Sequence, residues 1–236
     1  MSIYISASMI KDFLMCNKKV YYRINHPELQ ISDRDMEVGN IVHKAIELYW
    51  DNQEKAKEHI NQSINMTLPN DKSALKRAEG CMQTFFHVFR QHLSKEDEIE
   101  KKFKIPWGKD VFVVGKMDRV SSGCVFDWKT AGRPSTDTSK DVQFILYDWA
   151  YRSLYKSSPV AVYYAALATG GLVMYKSDRV AETALFGEVI PQLISAIKTK
   201  DYVPNGVFRR ACYKCPYAES CLKELMPDVL DNSVLT

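Results

Sequence analysis

Apolar residues in the first third of the chain recur at the spacing of amphipathic helices. A serine cap predicts a first helix that runs from about Ser6 through Cys16 and ends at His26-Pro27. Two longer helices are predicted at about 35–57 and 73–93, because apolar side chains recur there every three or four positions. We therefore expect the N-terminal part of the chain to be helical.

Near residue 100 the pattern changes period and becomes that of strands. Alternating apolar positions bounded by turn residues predict strands, with helices at about 143–155 and 182–198 between and after them. The predicted strands cover residues 103–105, 111–120, 125–129, 160–168 and 172–176. Pro191 is expected to kink or break the last helix, and the tail from residue 201 is expected to be loop-like. This order predicts an α/β fold with a mixed sheet and flanking helices, not a regular βα repeat.

Composition narrows the class of protein without naming a partner. The 236 residues are 46% hydrophobic and 26% charged, which excludes a disordered or collagen-like chain. The net charge of +3 is small, so any nucleic-acid surface has to come from local clustering. No apolar run approaches the roughly 20 residues that span a bilayer, and the N-terminus lacks the pattern of a secretory signal. We therefore expect a cytoplasmic protein with no membrane partner, whose six cysteines stay reduced.

The predicted hairpin in the middle of the chain places two carboxylates together. If Ser122-Gly123 forms a two-residue turn, counting back along both strands puts Asp118 opposite Asp127. Facing residues have Cβ atoms about 4.5–5.5 Å apart, so two carboxylates there repel unless a cation such as Mg²⁺ lies between them. Lys129 leaves the same strand face as Asp127, where it could stabilise a metal-bound phosphate. A slip of one residue would move Asp118 to the other face, and a solvated surface hairpin is the alternative interpretation.

Two predicted helices carry further polar candidates. Gly39 lies one turn before His43, so this helix can approach a ligand closely while the imidazole binds a metal. Gln143 and Tyr147 are spaced i, i+4 and point one way, so they could hold a nucleotide by hydrogen bonding and stacking. A hydrogen-bonded helix histidine and a half-buried amphipathic face are the plainer alternatives.

Three cysteines cluster near the C-terminus in the pattern Cys212-x-x-Cys215-Pro216-x₄-Cys221. A metal centre needs a fourth ligand, and Cys16 on the first predicted helix is suitable. Four cysteinates can hold zinc or an iron–sulfur cluster, and the chemistry of the residues leaves both open. If a metal centre joins the chain ends, basic and aromatic residues close to these cysteines form one surface suited to single-stranded DNA, and a solvated face is the alternative. They are Lys18, Lys19, Tyr21, Tyr22, Arg23, Arg209, Arg210 and Lys214.

Taken in order, these residues resemble the RecB-type branch of the PD-(D/E)xK nucleases. The resemblance covers about residues 5 to 222 and rests on the motifs Gly39-x-x-x-His43, Gly115-Lys-Met-Asp118, Asp127-Trp-Lys129 and Gln143-x-x-x-Tyr147. The roles that it implies are catalysis and Mg²⁺ or Mn²⁺ binding for His43, Asp118 and Asp127, catalysis for Lys129, and DNA contact for Gln143 and Tyr147. It also implies an acidic residue near the strand before the hairpin, where Glu100 lies.

The early cysteine and the three late ones make the chain similar to the iron–sulfur nucleases, which include the CRISPR-associated adaptation exonucleases. This resemblance implies a [4Fe-4S] cluster that is bound by Cys16, Cys212, Cys215 and Cys221 and joins the two ends of the chain. It implies one nuclease domain over residues 1–236 with a central mixed β-sheet of the restriction-endonuclease-like type. Its expected parts are a helical segment 1–95, a nuclease core 96–180, and a C-terminal helix with a cysteine-rich segment 181–236.

The function expected from this resemblance is metal-dependent hydrolysis of DNA phosphodiester bonds. The expected enzyme is an exonuclease for single-stranded ends, in CRISPR adaptation or in DNA recombination and repair, with an integrase or a helicase as partner. One alternative is a DNA-end-binding iron–sulfur subunit of a larger complex, with little nuclease activity of its own. Another is a structural metal protein whose hairpin charges are incidental.

Overall fold

The fold is described from a computed structural model, which covers residues 2–30, 32–131 and 138–225. Contacts divide the chain into two compact units. The sheet unit comprises Met1–Ile5 and Ser32–Glu182, and the cysteine unit comprises Ser6–Ile31 and Thr183–Thr236. The single nuclease domain expected over residues 1–236 stays a prediction.

The sheet unit is built on a mixed sheet with six strands among the described residues. They are β1 (Ile3–Ile5), β2 (Glu98–Gly108), β3 (Val111–Ser121), β4 (Cys124–Lys129), β5 (Ala161–Ala166) and β6 (Gly171–Met174). β3 pairs antiparallel with β2 and β4 and parallel with β1, while β5 pairs parallel with β4 and antiparallel with β6. The predicted α/β fold with a mixed sheet is confirmed. The three-residue strand β1 was not predicted, because it is too short to show a period.

Helices account for most of the remaining described residues. They are α1 (Ala7–Met15), α2 (Asn17–Asn25), α3 (Arg34–Tyr49), α4 (Gln53–Thr67), α5 (Lys72–Thr84), α6 (Val142–Tyr155), α7 (Arg179–Ala184), α8 (Ile190–Thr199) and α9 (Ala218–Leu225). Buried apolar residues of α3, α4 and α5 form one core with Trp128 of β4 and Ala165 of β5. These three helices therefore cover one face of the sheet.

Several predicted helix boundaries were wrong where a capping residue starts a new helix. The helix predicted at about 35–57 is two helices, because the Asn52 side chain accepts from the N–H of Lys55 at 3.1 Å and caps α4. The helix predicted at about 73–93 changes after α5 into a π turn at Phe85–Phe89 and a short 3₁₀ turn. A second π turn, Leu185–Val189, precedes Pro191, and the helix continues through that proline without a break.

The cysteine unit differs from the prediction at both of its ends. Ser6 caps α1 as expected, but Cys16 has an extended backbone, so the first predicted helix is two helices, α1 and α2. The N–H of Asn17 at this break is bonded to the Asn205 side chain at 3.1 Å. The C-terminal tail is also not simply a loop, since it contains two 3₁₀ turns, Val207–Arg209 and Ala211–Lys214, and α9.

One helical segment, Arg179–Thr199, is long and apolar enough by length and composition to cross a membrane. The expectation that no apolar stretch approaches that length was therefore wrong. Core helices of soluble proteins have the same length and composition. Within this segment α8 packs against α1 and α2 of the cysteine unit and buries one apolar face, which includes Ile190 and Leu193. The cytoplasmic location stays a prediction.

Candidate active site

The β3–β4 hairpin has the register that the sequence predicts. Ser122 and Gly123 both have positive φ angles, 47° and 79°, as a two-residue hairpin turn requires. Backbone pairing runs from the turn to Arg119 and Phe126, and the next position of this register puts Asp118 opposite Asp127. The pairs Ser121–Cys124 and Val120–Val125 continue this register directly from the turn. The hairpin is therefore fixed in the register that brings the two aspartates together.

A third acidic residue joins this row from β2. The pairs Ile99–Arg119 and Lys101–Met117 place Glu100 between them, opposite Asp118. Glu100 has a φ of 53°, a left-handed conformation that is uncommon for any residue other than glycine. Such backbone strain persists where the surrounding structure enforces it, and it is often found at functional sites. Glu100, Asp118 and Asp127 thus lie on three neighbouring strands.

His43, Glu100 and Asp118 form a group that fits a divalent cation. One ligand atom from each lies within 4.8 Å of the others. The three residues line an open cleft together with Gly39, Lys116 and other residues of α3 and β4. Two carboxylates and an imidazole are a donor set that Mg²⁺ or Mn²⁺ accepts. The ammonium of Lys116 contacts the Glu100 carboxylate, so a cation would compete with this lysine for that ligand.

The orientation of His43 leaves one ring nitrogen for a metal. Its Nε2 lies 2.7 Å from the Trp128 carbonyl, which can only accept, so Nε2 carries the hydrogen. Its Nδ1 lies 3.5 Å from Asp118 Oδ2. Burial lowers the pKa of His43, but the hydrogen bond and charge of Asp118 outweigh burial and raise that pKa above its usual value. In neutral His43 the Nδ1 lone pair would point toward the acidic group.

The backbone of Trp128 holds two of these side chains. Its N–H donates to Asp118 Oδ2 at 2.8 Å, and its carbonyl accepts from His43. Burial raises the pKa of Asp118, yet His43 and this N–H more than offset the effect and lower the pKa below its usual value. Asp118 is therefore held as an anion. Sequence reasoning missed Trp128, because a backbone contact leaves no mark on the residue type.

Asp127 and Lys129 form a second, adjoining network with α6. Lys129 Nζ lies 2.7 Å from Asp127 Oδ2, which no other described residue contacts by a hydrogen bond or an ion pair. The Gln143 amide donates to Asp127 Oδ1 and to the Tyr147 hydroxyl, both at 2.8 Å, and its carbonyl accepts from Lys129 at 3.2 Å. Tyr147 in turn donates to the Lys116 carbonyl at 2.7 Å. Gln143 and Tyr147 thus orient the Asp127–Lys129 pair.

Burial sets the charge states in this second network. It raises the pKa of Asp127 to about 6; nearby Asp118 adds to the rise and the Lys129 ammonium opposes it. Burial alone would lower the pKa of Lys129, but Asp127 and Asp118 outweigh it and raise that pKa. Lys129 therefore remains positively charged beside the two carboxylates, and its ammonium can form an ion pair with a phosphate.

The structure brings the six predicted nuclease residues together, with differences from the roles expected. Asp127 does not belong to the three-donor group, where Glu100 stands instead, so its role as a metal ligand stays a prediction. Tyr147 is only 4% exposed and packs edge-on against Phe103 and Phe144, so its ring is covered by protein. The predicted nucleotide contact of Gln143 and Tyr147 stays a prediction, and the contacts they make are with Asp127 and Lys129.

The two motif glycines differ in what requires them. A Cβ added to Gly115 would lie 2.4 Å from the ring of Phe103 on β2, and this ring packs against Tyr147. Gly115 therefore makes room for the packing behind the site. A Cβ at Gly39 would meet Thr130 Oγ1 at 3.5 Å, an ordinary contact, so packing does not require glycine there. Gly39 instead lines the cleft one turn before His43, where the absence of a side chain leaves space for a ligand.

The four predicted cluster cysteines line one apolar pocket of the cysteine unit. Cys16 enters from the break between α1 and α2, and Cys212, Cys215 and Cys221 enter from the C-terminal turns and α9. Burial raises the pKa values of Cys215 and Cys221, and the nearby thiols of Cys16 and Cys212 add to the rise in both. Residues almost 200 positions apart thus line one pocket, whereas the metal cluster itself stays a prediction.

The positive surface expected beside these cysteines is smaller than the sequence suggested. Lys19 and Arg23 both pair with the buried Asp12, at 2.6 and 2.5 Å. Lys18 pairs with Glu224, which also accepts from the Tyr22 hydroxyl. Carboxylates within the unit therefore offset these three cations: Asp12 lies on the neighbouring helix α1 and Glu224 on the distant helix α9. Arg209 and Arg210 are exposed, and the side chain of Lys214 lies outside the described part.

Comparison with known families agrees with this geometry. A family model described as the PD-(D/E)XK nuclease superfamily matches residues 4–222, almost the whole chain. The chain therefore belongs to the PD-(D/E)XK nuclease superfamily. Members of this superfamily are in general metal-dependent nucleases, and DNA is the substrate that membership implies. A search of curated proteins finds no match.

Proposed function

We propose that this protein is a metal-dependent DNA exonuclease of the RecB-type branch, which degrades single-stranded ends and carries a [4Fe-4S] cluster. The observation that carries the nuclease proposal is the row of Glu100, Asp118 and Asp127, with His43 and Lys129 on either side. A protein that only holds DNA would not need a strained glutamate and two buried aspartates at one point. CRISPR adaptation or DNA recombination and repair is the proposed setting, with an integrase or a helicase as partner.

The residues divide the work of phosphodiester hydrolysis between the two networks. Mg²⁺ or Mn²⁺, when bound, would offset the charge of the phosphate and activate water. His43, Glu100 and Asp118 would hold this cation, and Asp127 would add a ligand at its edge. Lys129 would place its positive charge beside the scissile phosphate. Gln143 and Tyr147 would keep Asp127 and Lys129 in position.

The activity can be tested with linear and circular single-stranded DNA of the same sequence. We expect the purified protein to degrade the linear form in the presence of Mg²⁺ or Mn²⁺ and to spare the circle, because an exonuclease needs an end. EDTA should stop the reaction. Cleavage of the circle at an equal rate would indicate an endonuclease. Tight binding of the linear form without degradation by either metal would favour the alternative, a DNA-end-binding subunit.

Four cysteines line one pocket and could bind a single metal centre: Cys16, Cys212, Cys215 and Cys221. Four cysteinates can bind either a zinc ion or an iron–sulfur cluster. The order of one early and three late cysteines, which resembles that of the iron–sulfur nucleases, supports the cluster.

We expect protein purified without oxygen to be brown, with broad absorbance near about 400 nm from cysteinate-bound iron. Cys215→Ser should lose most of this absorbance, because it removes one ligand from the pocket. Cys124→Ser is the matched control: this half-buried cysteine lies on β4 of the sheet unit, and its replacement should leave the colour unchanged. Colourless protein with one zinc per chain would contradict the cluster and leave the nuclease proposal intact.

A further inference from the structure

Two aromatic side chains of the cysteine unit are almost completely exposed. Phe208 and Tyr213 are each 91% accessible to solvent. Most other aromatic residues of this unit are packed; Tyr22 and Tyr217, for example, stack on each other and are buried. Covering an exposed phenylalanine ring removes apolar area from water and is therefore favourable. The two rings thus offer apolar surface to a partner.

The positive charge of two arginines beside these rings favours a negatively charged partner. Arg209 and Arg210 lie between the two aromatics and are exposed. Residues 202–217 contain no acidic residue at all, whereas Lys18, Lys19 and Arg23 nearby in the unit are already paired with carboxylates. The segment Phe208–Tyr213 thus places two positive charges between two exposed rings, and no carboxylate of the same segment offsets them. The Arg209 guanidinium also donates to the Leu14 carbonyl, which holds this arginine on the surface of the unit. This combination fits a chain with negative phosphates and flat bases.

Short turns hold the segment in place. The N–H of Arg209 and that of Ala211 both bond to the Gly206 carbonyl, at 3.1 and 2.9 Å. A Cβ at Gly206 would lie 2.8 Å from Cys16 Cβ, so the loop is pressed against the cysteine pocket. Rings held by a fixed loop lose little conformational entropy when they stack on a base.

We propose that Phe208 and Tyr213 are stacking residues for the bases of single-stranded DNA, with Arg209 and Arg210 contacting the phosphates between them. The inference rests on the proposed function, and it goes further by naming the residues that distinguish single-stranded from double-stranded DNA. In duplex DNA the base faces are covered by their neighbours, so these rings stack only on unpaired bases. A protein partner would be expected to offer carboxylates to the two arginines and is the competing occupant.

The test compares oligonucleotides with and without bases. Binding of the full-length protein to labelled oligothymidine, and to an abasic strand with the same number of phosphates, is measured by fluorescence anisotropy without added divalent metal. Wild-type protein should bind the thymidine strand at least about tenfold more tightly. The Phe208→Ala/Tyr213→Ala variant should lose this preference and bind both strands alike. Because both side chains are exposed, its melting temperature should match that of the wild type.

Two further variants complete the test. Arg209→Ala/Arg210→Ala should weaken binding to both strands and reduce the slope of log affinity against log salt by about 0.7 for each lost contact. Met66→Ala, at an 83% exposed position of the sheet unit, is the control and should change nothing. An unchanged thymidine preference in the aromatic variant would overturn the proposal. The nuclease proposal fails separately, through absence of metal-dependent cleavage by the wild type.

Discussion

Replacing Asp118 with asparagine is expected to lower metal-dependent DNA cleavage at least about a hundred-fold. Asp118 is the residue that the two halves of the site share: it faces His43 at 3.5 Å, lies in the acidic row with Glu100, and raises the pKa of Asp127. Asparagine has the same shape and can still accept the Trp128 N–H, so the fold should survive. The change removes one negative charge from the cation site and weakens metal affinity.

The measurement is the initial rate on linear single-stranded DNA over a range of Mn²⁺ concentrations. We expect both a lower maximal rate and a higher Mn²⁺ requirement. Asp110→Asn is the matched control, since Asp110 is exposed in the turn between β2 and β3 and its left-handed backbone suits asparagine. Wild-type activity in Asp118→Asn, with unchanged Mn²⁺ dependence, would show that the site is assigned to the wrong residues.

Replacing Arg119 with methionine is expected to lower the free energy of unfolding by about 3–5 kcal/mol. The Arg119 side chain is fully buried; its Nε lies 2.8 Å from Asp97, whose side chain is 5% exposed, and its guanidinium lies 4.5 Å from the centre of the Trp50 ring. Removing the cation leaves the Asp97 carboxylate buried without the opposite charge of Arg119. Urea unfolding followed by circular dichroism measures the loss.

The pH dependence of this loss follows from Asp97. Burial raises the pKa of Asp97, but the Ser94 N–H, Ser121 and Arg119 outweigh burial and lower it below its usual 3.8. A depressed folded pKa means that the contribution to stability is complete above the unfolded pKa and disappears as the pH falls through the folded one. The difference between wild type and Arg119→Met should therefore be largest near neutral pH and shrink below about pH 4.

Two variants separate a lost ion pair from a lost side chain. Arg152→Met makes the same change at a side chain that is 38% exposed and pairs with Asp148 and Glu182. We expect a loss of about 1 kcal/mol or less there, because solvent screens the pair. Arg119→Met/Asp97→Asn should regain part of the stability by removing the unpaired charge. Equal losses at both arginines would show that the buried pair has no special weight.

Local chemistry determined the parts of this protein that could be predicted from the sequence. The two-residue turn Ser122-Gly123 fixes the β3–β4 register, because it sets which residues of the two strands face each other. Gln143 and Tyr147 face one way on α6, because a helix aligns positions four residues apart. The motifs at these positions were enough to indicate the superfamily that the family model matches.

Only the tertiary structure decided how these pieces meet. His43 and the Trp128 carbonyl are 85 positions apart, and their contact depends on how α3 packs on the sheet. Glu100 enters the acidic row through a left-handed backbone that no periodicity indicates. Gln143 and Tyr147 contact Asp127 because α6 packs beside β4. Helix packing likewise brings Asp12 to Lys19 and Arg23, and Glu224 to Lys18. The periodicity of apolar residues indicates which face of a helix or strand is buried. A functional site also depends on which residues lie opposite that face, and this is decided only when the segments of the chain pack together.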